Sequence, residues 1–413
     1  MANRGWDEKH MHEGLTATQE CPFPMPRDRK RPLDLPPEYA GFRREQPVRK
    51  VTTPSGDVAW LVTRYEDVRA VLSDPRFSAE VANPGYPRYL FPVDPQPGAF
   101  VTVDPPEHTR YRRMIMSHFT KKQAEAMRPR IQELVDERVD RLLAGPRPVD
   151  LVTTFARPVP LTVVCELLGV PYRDRIAFGR WINTLVETST TQARRDAAAG
   201  ALFRYMHKLV SDKEREPTDD VLGRLTGNQL RNGEVGHDEV VVTGMMLLSA
   251  GYDTTASSIA LTTLALLEHP EEFARLRENT DELIAGAVEE LLRHQNVMQC
   301  GVGRVATEDV EICGQHIAAG EGLIVLLSSA DRDETVYPEA DRLDITRAGS
   351  TPLAFGHGIH SCIAKFLSRV ELQVALGTLA RRIPTLKLAG RAEELKFRDT
   401  AIVYSLRELP VTW

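Results

Sequence analysis

The stretch FGHGIHSCIAKF, Phe355 to Phe366, sets two glycines and two histidines in front of one cysteine, Cys362. A thiol there could be a nucleophile, a metal ligand, half of a disulfide or a small buried hydrophobe. The apolar pattern Ile363, Phe366, Leu367, Val370, Leu372 follows at once, so Cys362 stands at a predicted helix N-terminus, where dipole and free N–H groups favour the thiolate. Gly356 and Gly358 let the backbone curl around a close neighbour. A thiolate held by backbone N–H groups suits ligation of haem iron. A structural thiol is the plain alternative for any cysteine taken alone.

Three further stretches carry chemistry. From Val240 to Leu267 the only charge is Asp253, inside AGYDTT, Ala250 to Thr255. Such a charge is costly in an apolar helix unless it is paired or hydrated. In EELLR, Glu290 and Arg293 lie three apart on one helix face, a spacing common on exposed helices. His108 and Arg112, four apart in EHTRYR, share another face, and for each alone a surface charge is the default.

Together these stretches resemble the cytochrome P-450 haem-thiolate monooxygenases. The family's cysteine loop reads F-x-x-G-x-H-x-C-x-G; Phe355, Gly358, His360 and Cys362 fill its places, and Ala364 replaces the last glycine. AGYDTT is similar to the oxygen-activating A-G-x-D/E-T. The resemblance implies that Cys362 ligates the iron and that small Ala250 and Gly251 leave room for dioxygen. It also implies that the Thr254 hydroxyl holds the oxygen while Asp253 relays protons from solvent. The competing reading is a paired Asp253 and a back-bonded Thr254. His108, Arg112, Arg304 and His360 match the family's haem-propionate donors, and Glu290–Arg293 its E-x-x-R scaffold, with Arg342 in the place of the completing arginine.

The implied fold is mainly α with small β-sheets, a single P-450 domain over 35–413 with haem b between the long central helix and the cysteine-loop helix. Residues 1–34, polar and proline-bearing without a signal-peptide h-region, are expected to be a flexible surface segment. A hairpin is predicted in VRKVTTPSGDVAWLVT, and a short helix in RYEDVRAVLSDP. A proline- and glycine-rich loop spans Ala82 to Gly98, and a helix opens at DPPEHTRYRR with Asp104 as N-cap. A turn near STTQARRD separates two helices. The central helix is expected from near His237 to before Pro270, about 50 Å long. A membrane span is disfavoured there, because Thr, Ser and Gly are frequent and Asp238, Glu239 and Glu268 flank the run in place of Lys or Arg.

Composition narrows the partners. A net charge of −6 without a basic tract gives no support to a nucleic-acid partner, and five scattered cysteines without a C-x-x-C pair favour a reducing cytoplasm. No flavin or nicotinamide fingerprint and no iron–sulfur cysteine cluster is present. Electrons from NAD(P)H must therefore arrive through separate proteins, by resemblance a ferredoxin and ferredoxin reductase. Arg110, Arg113, Lys121, Lys122 and Lys365 are the expected docking cations. The expected product is a hydroxylated or epoxidised secondary metabolite or xenobiotic, made by a monomer. By resemblance the pocket is lined by the Ala82–Gly98 loop, residues 181–187, Met245 to Ala250, NVMQC and DTAIVY. The same site used for peroxide-driven oxidation, coupling or desaturation, a non-turnover haem sensor, and a cysteine hydrolase using Cys362 are the rival readings.

Overall fold

The computed structural model describes residues 21–88, 96–186, 190–349, 351–399 and 401–413. The expected flexible segment lies outside the described residues up to residue 20, and the loop from Ala82 does so at 89–95. Residues 21–34 do not wander. Phe23 N–H donates to Thr52 O (2.9 Å), Tyr404 Oη donates to Pro32 O (2.9 Å), and Leu33 is buried.

The central helix runs His237–Glu268, 32 residues, as its long apolar stretch predicts. It is apolar on nearly every side because it is buried on nearly every side, packing against helices Pro158–Leu168, Gln192–Arg215 and Lys365–Arg382. His269 and Pro270 end it. No helix among the described residues is long and apolar enough to cross a membrane.

Beside the helices stands a six-stranded sheet. Its strands are β1 (Cys21–Pro22), β2 (Val48–Thr52), β3 (Val58–Val62), β4 (Phe77–Ser78), β5 (Val302–Ala306) and β6 (Gly322–Val325), in the order β1-β2-β3-β6-β5-β4. The predicted hairpin is β2–β3, antiparallel with Val48 opposite Val62. Strand β5 pairs antiparallel with β6, Arg304 opposite Leu323, so Arg304 comes from the interior of the sheet.

Two local readings change. Asp104 does not cap helix Glu107–Met116, whose N-cap is Pro106. Its carboxylate instead accepts the Ala79 N–H (2.9 Å) and the Ser78 hydroxyl (2.5 Å), tying β4 to the start of that helix. The arginine completing the Glu290–Arg293 cluster is Arg347, not Arg342. Arg293 grips Glu290 with two bonds (2.7 and 2.8 Å), and Arg347 Nε reaches Glu290 Oε1 at 3.2 Å. Arg342 offers only its carbonyl to Arg293 (3.3 Å), while its side chain pairs with Glu339 in solvent. The two arginines are five apart in one loop, and only the loop's path decides which turns inward.

Candidate active site

The cysteine loop is shaped by two glycines. Gly356 has φ +66° and ψ −166°, a conformation other residues rarely adopt, and at Gly358 an added Cβ would lie 2.1 Å from the Leu72 carbonyl oxygen. The loop can therefore press against helix Tyr65–Ser73 and fold back, closing with Cys362 N–H donating to Phe355 O at 2.8 Å. Ala364, the departure from the family pattern, caps helix Lys365–Arg382 and turns its N–H toward the Cys362 sulfur. Burial pushes the thiol up, while that N–H, Arg112, Lys365 and Arg369 pull it down.

Cys362 and Phe355 face a cavity of about 280 Å³, and Ala250, Gly251 and Thr254 of the central helix line it too. Gly251 has a packing reason as well as an open one, since an added Cβ would come within 3.3 Å of Val164. Thr254 Oγ1 donates to Ala250 O at 2.7 Å, which leaves the hydroxyl oxygen free to accept a hydrogen bond from the cavity. Asp253 turns elsewhere. It is buried and paired with buried Arg398, Nη2 to Oδ1 at 2.7 Å. Arg398 also donates its Nε–H to Ser405 Oγ.

Four nitrogen-bearing side chains gather beside the thiol. The His108 and His360 rings lie 4.2 Å apart between centroids. Among the described residues Arg112 donates only to Ser361 O (2.6 Å) and Arg304 only to Gly303 O (2.7 Å). Burial lowers both guanidinium groups, and neither meets a carboxylate among the described residues. His360 is pushed down to about 3 by burial and by Arg304, His108 and Arg112, and its Nε2 is buried without a hydrogen-bond partner. Guanidinium groups so desolvated and left without a carboxylate call for an anion from outside the chain, to which the neutral histidines can add N–H donors. The two propionates of a haem whose iron meets Cys362 fit this requirement.

The substrate side of the cavity differs from expectation. Met246 and Leu247 of the central helix and Asn296 to Met298 line it as predicted. Phe100 and Val101, just past the predicted Ala82–Gly98 loop, line it, residues 89–95 of that loop lying outside the described residues; Val163, Val164 and Leu167 line it in place of Trp181, which instead packs edge-on against Phe178. Glu187 and Thr400 lie outside the described residues, and the rest of DTAIVY stands back from the cavity wall.

Sequence reasoning missed two site residues. One is Arg398, for which only the demand of Asp253 for a partner was legible. The other is Glu371, on the cysteine-loop helix and in the cavity wall. Its Oε2 is buried without a partner, and burial raises its carboxyl to about 8, so it stays protonated at neutral pH. Arg110, expected with the docking cations, pairs instead with Glu239 at the start of the central helix (2.6 Å); Arg113, Lys121 and Lys122 are exposed, and Lys365 is half-buried.

The sequence profile of the family described as Cytochrome P450 matches residues 190–403. Cytochrome P450 GfsF of Streptomyces halstedii is 46% identical over 414 residues, covering 98% of this chain and 100% of that protein. The crystal structure of GfsF superposes with a TM-score of 0.89 at 45% identity, over 95% of this chain and 100% of that one. A mycinamicin IV hydroxylase/epoxidase of Micromonospora griseorubida is 39% identical over 92% of this chain and 96% of its own length. Likeness along the whole length of such relatives, and not at the cysteine loop alone, makes this chain a member of the cytochrome P450 family of haem-dependent monooxygenases.

Proposed function

We propose that this monooxygenase hydroxylates or epoxidises a medium to large, mostly apolar natural product, using haem b and electrons from NAD(P)H delivered by a ferredoxin and its reductase in the cytoplasm. The reaction balances as substrate-H, O2, two electrons and two protons giving product-OH and water. The observation that carries the reading is one largely apolar cavity lined by the Cys362 thiol, Arg112 and His360, with His108 and Arg304 close behind His360. The Micromonospora griseorubida relative, named for the hydroxylation and epoxidation of mycinamicin IV, supports the substrate class.

In this reading Cys362 holds the iron, and Arg112, Arg304, His108 and His360 hold the propionates. Phe355 would pack against the bound haem, and small Ala250 and Gly251 would leave room for dioxygen beside it. When bound, the haem supplies oxygen activation and accepts the electrons. The chain orients the substrate with Phe100, Val164 and Leu247 and keeps bulk water from the apolar end. Thr254 accepts a hydrogen bond at the oxygen-binding position through its free lone pair. Asp253 relays protons toward that side of the central helix, and Glu371 holds a proton at the other edge of the cavity.

Cys362→Ser tests the assignment. A neutral hydroxyl cannot give the electron donation of a thiolate, so the red-shifted ferrous–CO band and turnover are both expected to vanish. Persistence of that band in the variant would assign the iron to another cysteine.

A further inference from the structure

Away from the haem cavity, helix Gln192–Arg215 lies against the first turn of the central helix, and the two bring His207, His237 and Asp238 together. One ligand atom from each lies within 4.8 Å of the others, the only such trio of His, Cys, Asp or Glu among the described residues. His207, Ser211 and Glu214, at i, i+4 and i+7, form one stripe of their helix and line a surface recess with Pro97, Gly236 and His237.

His237 is set for a metal by its neighbours. Its Nδ1 stands 2.8 Å from Glu214 Oε1, and a carboxylate only accepts, so Nδ1 carries the proton. Its Nε2 is then a bare lone pair, and that atom is buried with no hydrogen-bond partner. The His207 ring lies 4.3 Å away between centroids, tilted by 54°, so the two rings converge without stacking. His207 and Asp238 are exposed to solvent, which gives an ion a way in. The positive end of the central helix opposes a cation here, and the carboxylates of Glu214 and Asp238 offset it.

The geometry points to a divalent transition-metal site ligated by His207, His237 and Asp238, with Glu214 as the carboxylate that orients His237. Two imidazoles and one carboxylate match Zn²⁺ or its neighbours, whereas Mg²⁺ and Ca²⁺ take oxygen ligands. Glu214 repeats the carboxylate–histidine–metal relay that fixes a ligand's tautomer. The site would pin helix Gln192–Arg215 to the central helix next to an existing contact. Met206 already fills the hollow at Gly244, where an added Cβ would come within 2.5 Å of its methyl. Gly244 lies two turns before the cavity-lining Gly251, so the metal secures the frame of the substrate cavity from outside it.

The test is titration of the haem-loaded enzyme, freed of loose metal with a chelator, with ZnCl2 by calorimetry and by its melting midpoint. One Zn²⁺ per chain and a raised midpoint are expected, with no rise from Mg²⁺. His207→Ala is expected to abolish both effects, and Glu214→Gln to weaken binding by about 10–100-fold. The His10→Ala/His12→Ala double variant, which removes the imidazoles near the start of the chain, is expected to bind as before. An unchanged ferrous–CO spectrum certifies each variant as folded holoenzyme. Failure of the wild type to bind Zn²⁺, or undiminished binding by His207→Ala, would overturn the assignment.

Discussion

Arg398→Leu strands a carboxylate in the core of the protein. Asp253 and Arg398 side chains are only 11% and 5% exposed, and the 2.7 Å bond between them is the one ion pair Asp253 makes among the described residues. Removing one partner of a buried pair costs about 3–5 kcal/mol, because the remaining charge is left uncompensated. Unfolding entropy near about 2.1 cal/mol/K per residue gives a chain of 413 residues roughly 0.9 kcal/mol/K at its midpoint. The expected fall in melting temperature is therefore roughly 3–6 °C, read by far-UV circular dichroism on the haem-loaded enzyme. Asp253→Ala combined with Arg398→Leu removes both charges, and a similar apolar replacement of a buried pair is often neutral. The double variant should accordingly melt above Arg398→Leu alone. A single variant within about 1 °C of wild type, or a double variant no more stable than the single, would refute the reasoning.

Thr254→Ala should leave substrate binding near wild type while electrons are diverted from product to released peroxide; unchanged coupling would remove Thr254 from the reaction. For Glu371 the folded carboxyl stays protonated up to about 8, whereas the unfolded one ionises near its ordinary value. The unfolded state thus binds fewer protons between these limits, and stability falls as pH rises through that window. Glu371→Gln should flatten this slope in melting curves collected across neutral pH, and an equal slope in both proteins would contradict the assignment. Arg113→Glu with Lys365→Glu should slow reduction by an acidic ferredoxin and blunt its salt dependence without changing substrate affinity, since exposed charges act over about 8–10 Å near physiological salt. Equal reduction rates at low salt would show that docking occurs elsewhere.

What could be read beforehand was local. The cysteine loop was legible because its glycines, histidine and thiol act within eight residues, and the central helix because one charge interrupts a long apolar run. The hairpin β2–β3 followed from a turn between two β-rich runs. Pairings across long stretches of chain were not legible. Asp253 demanded a cation, but nothing in the sequence distinguishes Arg398, 145 residues on, from other arginines. The same holds for Arg347 over Arg342, where spacing fits either and only the loop's path selects one. Asp104 had the right residue type for a cap, and a tertiary demand, the two donors of β4, took its carboxylate instead. Glu371 was hidden because its helix repeats an apolar pattern in which one acid looks like a solvent-facing residue.

The pairing of Asp253 also bears on how its helix works. Successive residues of an α-helix point about 100° apart, so one of Asp253 and Thr254 can face the cavity while the other turns away. Thr254 faces it, and Asp253 is turned to Arg398, beside the segment whose Asp399 and Ala401 carbonyls bind Gln299. That segment adjoins Met298, which lines the substrate end. In this structure Arg398 holds the carboxylate on the far side of the helix from the cavity-lining Thr254. A proton passing from Asp253 to the Thr254 side must therefore cross around the helix. The proposed relay then requires the Asp253–Arg398 pair to open.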